Sequence, residues 1–154
     1  MIYAWLANKE KKMHKILLAS LLVCSTAFAA DNIYTWKVNR VLDGDTVVFK
    51  VDFLPVPLKP VLSVRVIGID TPEKFPHSKC VEENLLAQKA SAYTKNLIST
   101  GKDIKVKLVK WDKYGGRVDG DIIVDGKSLS ELLISSGNAR EYHGGTKKSW
   151  CVAK

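Results

Sequence analysis

Asp43-Gly44-Asp45-Thr46 and, after a proline-broken stretch, Arg65-Val66-Ile67-Gly68-Ile69-Asp70-Thr71-Pro72-Glu73 hold the residues best suited to chemistry. Asp45, Asp70 and Glu73 are hard oxygen donors of the kind a calcium-like cation takes. Arg65 supplies a guanidinium matched to phosphate. Each segment alone reads as an ordinary turn or strand exit. Together they differ, because Thr46 opens one strand and Ile69 closes another, which places Asp45 and Asp70 on one rim. Like charges brought that close repel unless a cation lies between them. Pro72 fixes the backbone where the Thr71 carbonyl is available as a further ligand.

The elements that position these residues follow from periodicity. Ile33 to Val41 reads as a first strand, turned by Asp43-Gly44 into a second, Thr46 to Val51. Pro55, Pro57 and Pro60 make a loop, and Leu62 to Ile69 is a third strand. In it Arg65 faces opposite to Val64 and Val66. Leu86, Ala90, Tyr93 and Leu97 recur at helical spacing within Val81 to Ser99, and Gly101 is the stop. Ile104, Val106 and Leu108 give a half-buried fourth strand, and Arg117 to Val124 a fifth. Ser128 and Glu131 read as a capping box opening a short helix that Gly137 closes. Five short strands, with one helix after the third and another after the fifth, suit a small OB barrel of the α+β kind. An open α+β sheet satisfies the same order.

The chain has 154 residues and a net charge of +8. Lys9, Lys11, Lys12 and Lys15 precede an apolar run from Ile16 to Val23, and Ala27-Phe28-Ala29 supplies a cleavage pattern. Residues 1–29 thus read as a signal peptide, too short in its apolar part to span a membrane. Met13 is a more ordinary start for it than Met1. The expected mature domain, residues 31–154, keeps 20 basic and 15 acidic residues, a net charge of +5. Beside a phosphate site that excess attracts polyanions. Cys24 leaves with the signal. Cys80 and Cys151 remain as an even pair in a chain bound for an oxidising compartment, which favours a disulfide over two free thiols. No CxxC or paired histidine accompanies them, so zinc is not expected.

Lys110-Trp111-Asp112-Lys113-Tyr114-Gly115-Gly116-Arg117 reads either as a charged glycine hairpin or as a turn aiming Arg117 at the same phosphate as Arg65. The stretches D-G-D-T, R-V-I-G-I-D-T-P-E, A-S-A-Y-T-K and D-K-Y-G-G-R resemble the staphylococcal nuclease family over essentially the whole mature chain. That family consists of OB-fold, calcium-dependent phosphodiesterases acting on DNA and RNA. The resemblance implies Asp45, Asp70 and the Thr71 carbonyl as calcium ligands. It implies Glu73 as the base or positioner for the attacking water, and Arg65 and Arg117 as the clamp on the scissile phosphate. Lys113 and Tyr114 become secondary substrate contacts, and Tyr142 a candidate for base stacking.

Two departures accompany the resemblance. Two glycines precede Arg117 where the family has one, which predicts either a bulge that keeps its aim or a displaced guanidinium. The chain also stops soon after Trp150-Cys151, so a Cys80–Cys151 link stands in for a longer C-terminal helix. His77 and His143 read as surface histidines, Trp36, Trp111 and Trp150 as packing, and Lys147-Lys148 as a solvated pair. The resulting expectation is a periplasmic or secreted, monomeric, calcium-dependent nuclease, with no stable membrane association once the signal is gone. A nuclease-like OB module that binds nucleic acid without cutting it is the main rival. A barrel used for protein contacts is the weaker one.

Overall fold

The computed structural model describes residues 32–54, 57–58, 60–113 and 115–151. The expected signal peptide, residues 1–29, and Tyr114 lie outside them. Strands β1 (Ile33–Tyr34), β2 (Val38–Val41), β3 (Thr46–Lys50), β4 (Val61–Val66) and β5 (Ile69–Asp70) come first. Helix α1 (Val81–Thr100) follows, then β6 (Ile104–Trp111), β7 (Arg117–Val124), β8 (Lys127–Ser128), α2 (Leu129–Ser135) and β9 (Arg140–Glu141). The main sheet runs β1-β6-β7-β4-β3-β2, with β8 on β7, while β5 and β9 form a separate pair. Among the described strands only β4 and β7 run parallel, because α1 lies on the path between them. The fold is a mixed sheet with two helices, and the pairings leave it open at β2.

The sheet forms where apolar residues alternate. β4 and β7 each bury every second residue, so Val64, Val66, Val118, Ile122 and Val124 point inward while Arg65 and Arg117 stay half-buried. Val47, Phe49, Val64, Val66, Val106, Ile122, Leu129 and Leu133 form one core between the sheet and α2. Each such side chain contributes roughly 1.5–3 kcal/mol through burial. Among the described residues no helix is long and apolar enough to cross a membrane.

Several expectations need correction. The first expected strand is two, β1 and β2, joined through Thr35–Lys37. The third breaks at Gly68, whose φ of +80° ends the alternation. As a result Ile69 and Asp70 are both buried, which one continuous strand would not allow. In α1 the fully buried stripe is Glu83, Ala87, Ala90, Ser91 and Thr94, with Leu86, Tyr93 and Leu97 only half-buried. Small residues on that stripe let the helix approach the Asp43–Asp45 turn. The capping box is absent: Ser128 Oγ meets Ser130 Oγ at 2.7 Å and makes no cap bond.

Candidate active site

The Asp43-Gly44-Asp45 turn is held from three sides. The Leu42 amide donates to the Thr46 carbonyl at 2.9 Å, and the Val66 amide to the Asp45 carbonyl at 2.8 Å. From α1, Thr94 Oγ1 donates to the Gly44 carbonyl at 2.7 Å. A Cβ on Gly44 would lie 3.0 Å from Ala90 Cβ and 3.1 Å from Thr71 Cγ2, so the turn packs tightly against both. That contact brings the turn against the Asp70–Thr71 segment.

Asp45 is buried, its Oδ1 accepting from Thr46 Oγ1 at 2.9 Å. Arg65, opposite Thr46 across the β3–β4 ladder, sets Nη2 3.5 Å from Asp45 Oδ2. Burial, and then the charge of Asp43, push the Asp45 carboxyl up to about 6, and Arg65 offsets this only in part. Asp70, also buried, accepts from the Trp150 indole N–H at 3.0 Å through Oδ2. Its Oδ1 lies 2.7 Å from Lys147 Nζ, an ion pair without the angles of a directed hydrogen bond. The same ammonium reaches Glu73 Oε1 at 3.2 Å. Thr71 is buried beside Asp70, and Glu73 is exposed.

Arg65, Lys113, Arg117, Tyr142 and Lys147 line one cleft of about 750 Å³. Arg117 Nε donates to Asp112 Oδ2, so a buried carboxylate orients this guanidinium. The two glycines before it both take positive φ, +73° and +75°, and sit wholly in the turn. The register instead breaks at Val109, between Leu108 and Lys110. Tyr142 enters through β9, which pairs Asp70 with Arg140; its hydroxyl donates to the Gly145 carbonyl at 2.8 Å. A second cleft, of about 300 Å³, contains Asp70, Glu73, Lys147 and Trp150.

The Cys80–Cys151 disulfide is present, with Cα atoms 6.0 Å apart. It ties the segment carrying Lys147 and Trp150 to the start of α1. Five residues near the site carry more than the sequence reading gave them. Asp43 has a buried Oδ1 without a hydrogen-bond partner. Glu83 Oε2 accepts the Lys79 amide at 2.7 Å, and Oε1 accepts the Glu73 amide at a long 3.4 Å, which fixes the loop bearing Glu73. Asp112 holds Arg117, Lys147 is no solvated lysine, and Trp150 is a hydrogen-bond donor to Asp70 as well as a packing residue. Trp150 is itself covered by the Arg140 guanidinium, 3.7 Å from the ring centroid. A signal for Glu83 existed: an acidic residue three positions after Cys80, in the first turn of a predicted helix.

The donors fit a hard divalent cation. They are all oxygens, the Asp45 and Asp70 carboxylates are buried, and the buried Asp43 Oδ1 accepts no hydrogen bond. Among the described residues Asp45, Asp70 and Glu73 do not gather their carboxylate oxygens within 4.8 Å of one another.

The Staphylococcal nuclease homologue family model matches residues 63–150. The chain belongs to the staphylococcal nuclease family. Endonuclease YhcR of Bacillus subtilis is 33% identical over 120 residues, covering 74% of this chain and 9% of that protein. The prophage-derived endonuclease YokF of Bacillus subtilis is 37% identical over 106 residues, covering 67% of this chain and 32% of its own length. Thermonuclease of Staphylococcus hyicus is 28% identical over 139 residues, covering 81% and 76% respectively. The chain thus spans under a third of the length of the first two relatives. Arg65, Asp70, Thr71, Glu73 and Arg117 lie inside the matched nuclease segment, whereas Asp43 and Asp45 precede it and join it only through folding.

The burial of Asp45 predicts a pH effect in chelator-treated protein. Its folded value of about 6 lies above the 3.8 of an unperturbed aspartate, so the native state holds this proton more tightly than the unfolded chain. The associated stability is complete below about pH 4 and lost as pH rises through 6, on the order of 3 kcal/mol in all. Denaturant unfolding in chelator at pH 5 and 7 should show the higher pH less stable. The Asp45→Asn variant should flatten that difference; an equal slope in the variant would remove Asp45 as its source.

Proposed function

We propose that this chain is a calcium-dependent nuclease that hydrolyses phosphodiester bonds of DNA, of RNA or of both. One observation carries the reading: Arg65 stands 3.5 Å from buried Asp45, so a phosphate-binding guanidinium and a cation-binding carboxylate share one rim. Membership of the nuclease family supports it. Asp45, Asp70 and the Thr71 carbonyl would hold the ion. Bound calcium supplies a Lewis acid for a non-bridging phosphoryl oxygen. Glu73, exposed, accepts or orients the proton of the attacking water. Arg65 and Arg117 bind the phosphate more tightly as its charge grows toward the transition state. Asp112 holds Arg117 in its orientation. Lys113, Tyr114 and Tyr142 contact the neighbouring nucleotide. Lys147 competes with any cation for Asp70 and Glu73, since one ammonium spans both carboxylates.

The same reading takes the strands as an OB barrel and the protein as an exported monomer, in a compartment where the Cys80–Cys151 disulfide persists. Binding without cutting is the alternative. It draws on the engagement of Glu73 by Lys147 and of Arg117 by Asp112. Incubation with plasmid DNA separates the two. Degradation with calcium that stops with a chelator is the expected result; retarded but intact DNA under both conditions would establish the binding module.

A further inference from the structure

Trp111 also lines a concave strip that the proposed catalysis does not use. Its volume is about 570 Å³, and Tyr34, Trp36, Phe53, Val109, Lys110 and Trp111 line it. The rings are arranged, not scattered. Tyr34 stacks on Trp36 with centroids 4.7 Å apart and planes 18° off parallel. Phe53 meets Trp36 at 5.7 Å, tilted by 41°. Trp111 is 65% exposed and Phe53 60%, large apolar surfaces for a chain with a substantial core elsewhere. The strip continues into the catalytic cleft, because Lys110 and Trp111 line both.

We propose that this strip is an extended subsite for single-stranded nucleic acid, in which bases beyond the scissile phosphate stack on Trp111 and Phe53. The inference rests on the nuclease reading and adds to it a place on this chain for bases beyond the scissile phosphate. Exposed rings offer a face to any base, whatever its identity, and Lys110 offers charge to the backbone beside it. A duplex keeps its base faces stacked within itself and has none to give. The strand leaving the Arg65–Arg117 cleft past Trp111 therefore binds best when unpaired or locally melted.

The test uses a labelled oligothymidylate of twelve nucleotides, a thymidine dinucleotide and a blunt duplex, all titrated in chelator. Trp111→Ala and Phe53→Ala both change exposed positions, and retained thermal unfolding checks their fold. Each variant should weaken binding of the twelve-mer about 5- to 100-fold, by the loss of one base–ring stack. Phe53→Ala should leave the dinucleotide and the blunt duplex within twofold of the unsubstituted protein. Unchanged twelve-mer affinity in both variants, with plasmid cleavage intact, overturns the subsite alone. Equal weakening for duplex and single strand also overturns it. A dimer in sedimentation that Trp111→Ala dissolves overturns it too, in favour of a second copy of this chain. Absence of any plasmid cleavage by the unsubstituted protein, with calcium, overturns the nuclease reading beneath it.

Discussion

Glu73→Ala and Arg65→Ala should each lower the calcium-saturated rate of plasmid cleavage about 10²–10³-fold, the range for losing a positioned base or an electrostatic donor. For Glu73 the loss should fall on turnover, with little change in substrate affinity, because a carboxylate facing water gains nothing from binding a polyanion. Its side chain is 48% exposed, so truncation leaves the core untouched. Arg65 differs. Its guanidinium partly offsets the burial of Asp45, so Arg65→Ala should also reduce stability in chelator. Arg117→Ala should cut the rate within the same range, and Asp112→Asn, which keeps the shape but weakens the hold on Arg117, by less. The measurements are initial rates against substrate concentration for folded variants. A folded Glu73→Ala protein with an unchanged rate would take Glu73 out of the mechanism.

Breaking the disulfide should have the largest effect on stability. Cys80 and Cys151 are separated by 71 residues, and closing a loop of that size stabilises by about 4 kcal/mol in the chain-entropy model. For a domain of this size Cys151→Ser should lower the thermal midpoint by roughly 10–20 °C. The bond also has a local role. Cys80 caps α1, its Sγ accepting the Glu83 amide at 3.3 Å, while Cys151 anchors the segment that brings Trp150 to Asp70 and Lys147 to Glu73. Circular dichroism melts with and without reductant measure the effect on stability; a midpoint moved by less than a few degrees would mean the C-terminal segment is held by other contacts.

How far the sequence revealed this site depends on the range of each interaction. The Asp43-Gly44 turn and the half-buried setting of Arg65 were legible because strand parity and strand ends are local properties, and both β4 and β7 keep their alternation. The cysteine pairing was legible because only two cysteines remain beyond the expected signal. Gly68 hid the break that buries Ile69 and Asp70 together, since a positive φ cannot be told from a glycine's presence alone. Lys147, Trp150 and Asp112 were read as surface or packing residues. Their partners lie across a disulfide-closed loop or a hairpin, and no periodicity links Lys147 to Asp70. The face of α1 was misplaced for a related reason. Its tightest contact is with the Gly44 turn, where Ala90 and Thr94 fit and leucine would not.

Calcium titration by calorimetry tests the central claim most directly: that Asp45 and Asp70 grip one divalent ion on a shared rim. The predicted result is one ion per chain, with binding abolished in Asp45→Asn and in Asp70→Asn while both variants retain the unfolding cooperativity of the unsubstituted protein. Calcium binding of equal strength in the two folded variants, or no calcium binding by the unsubstituted protein, would contradict it.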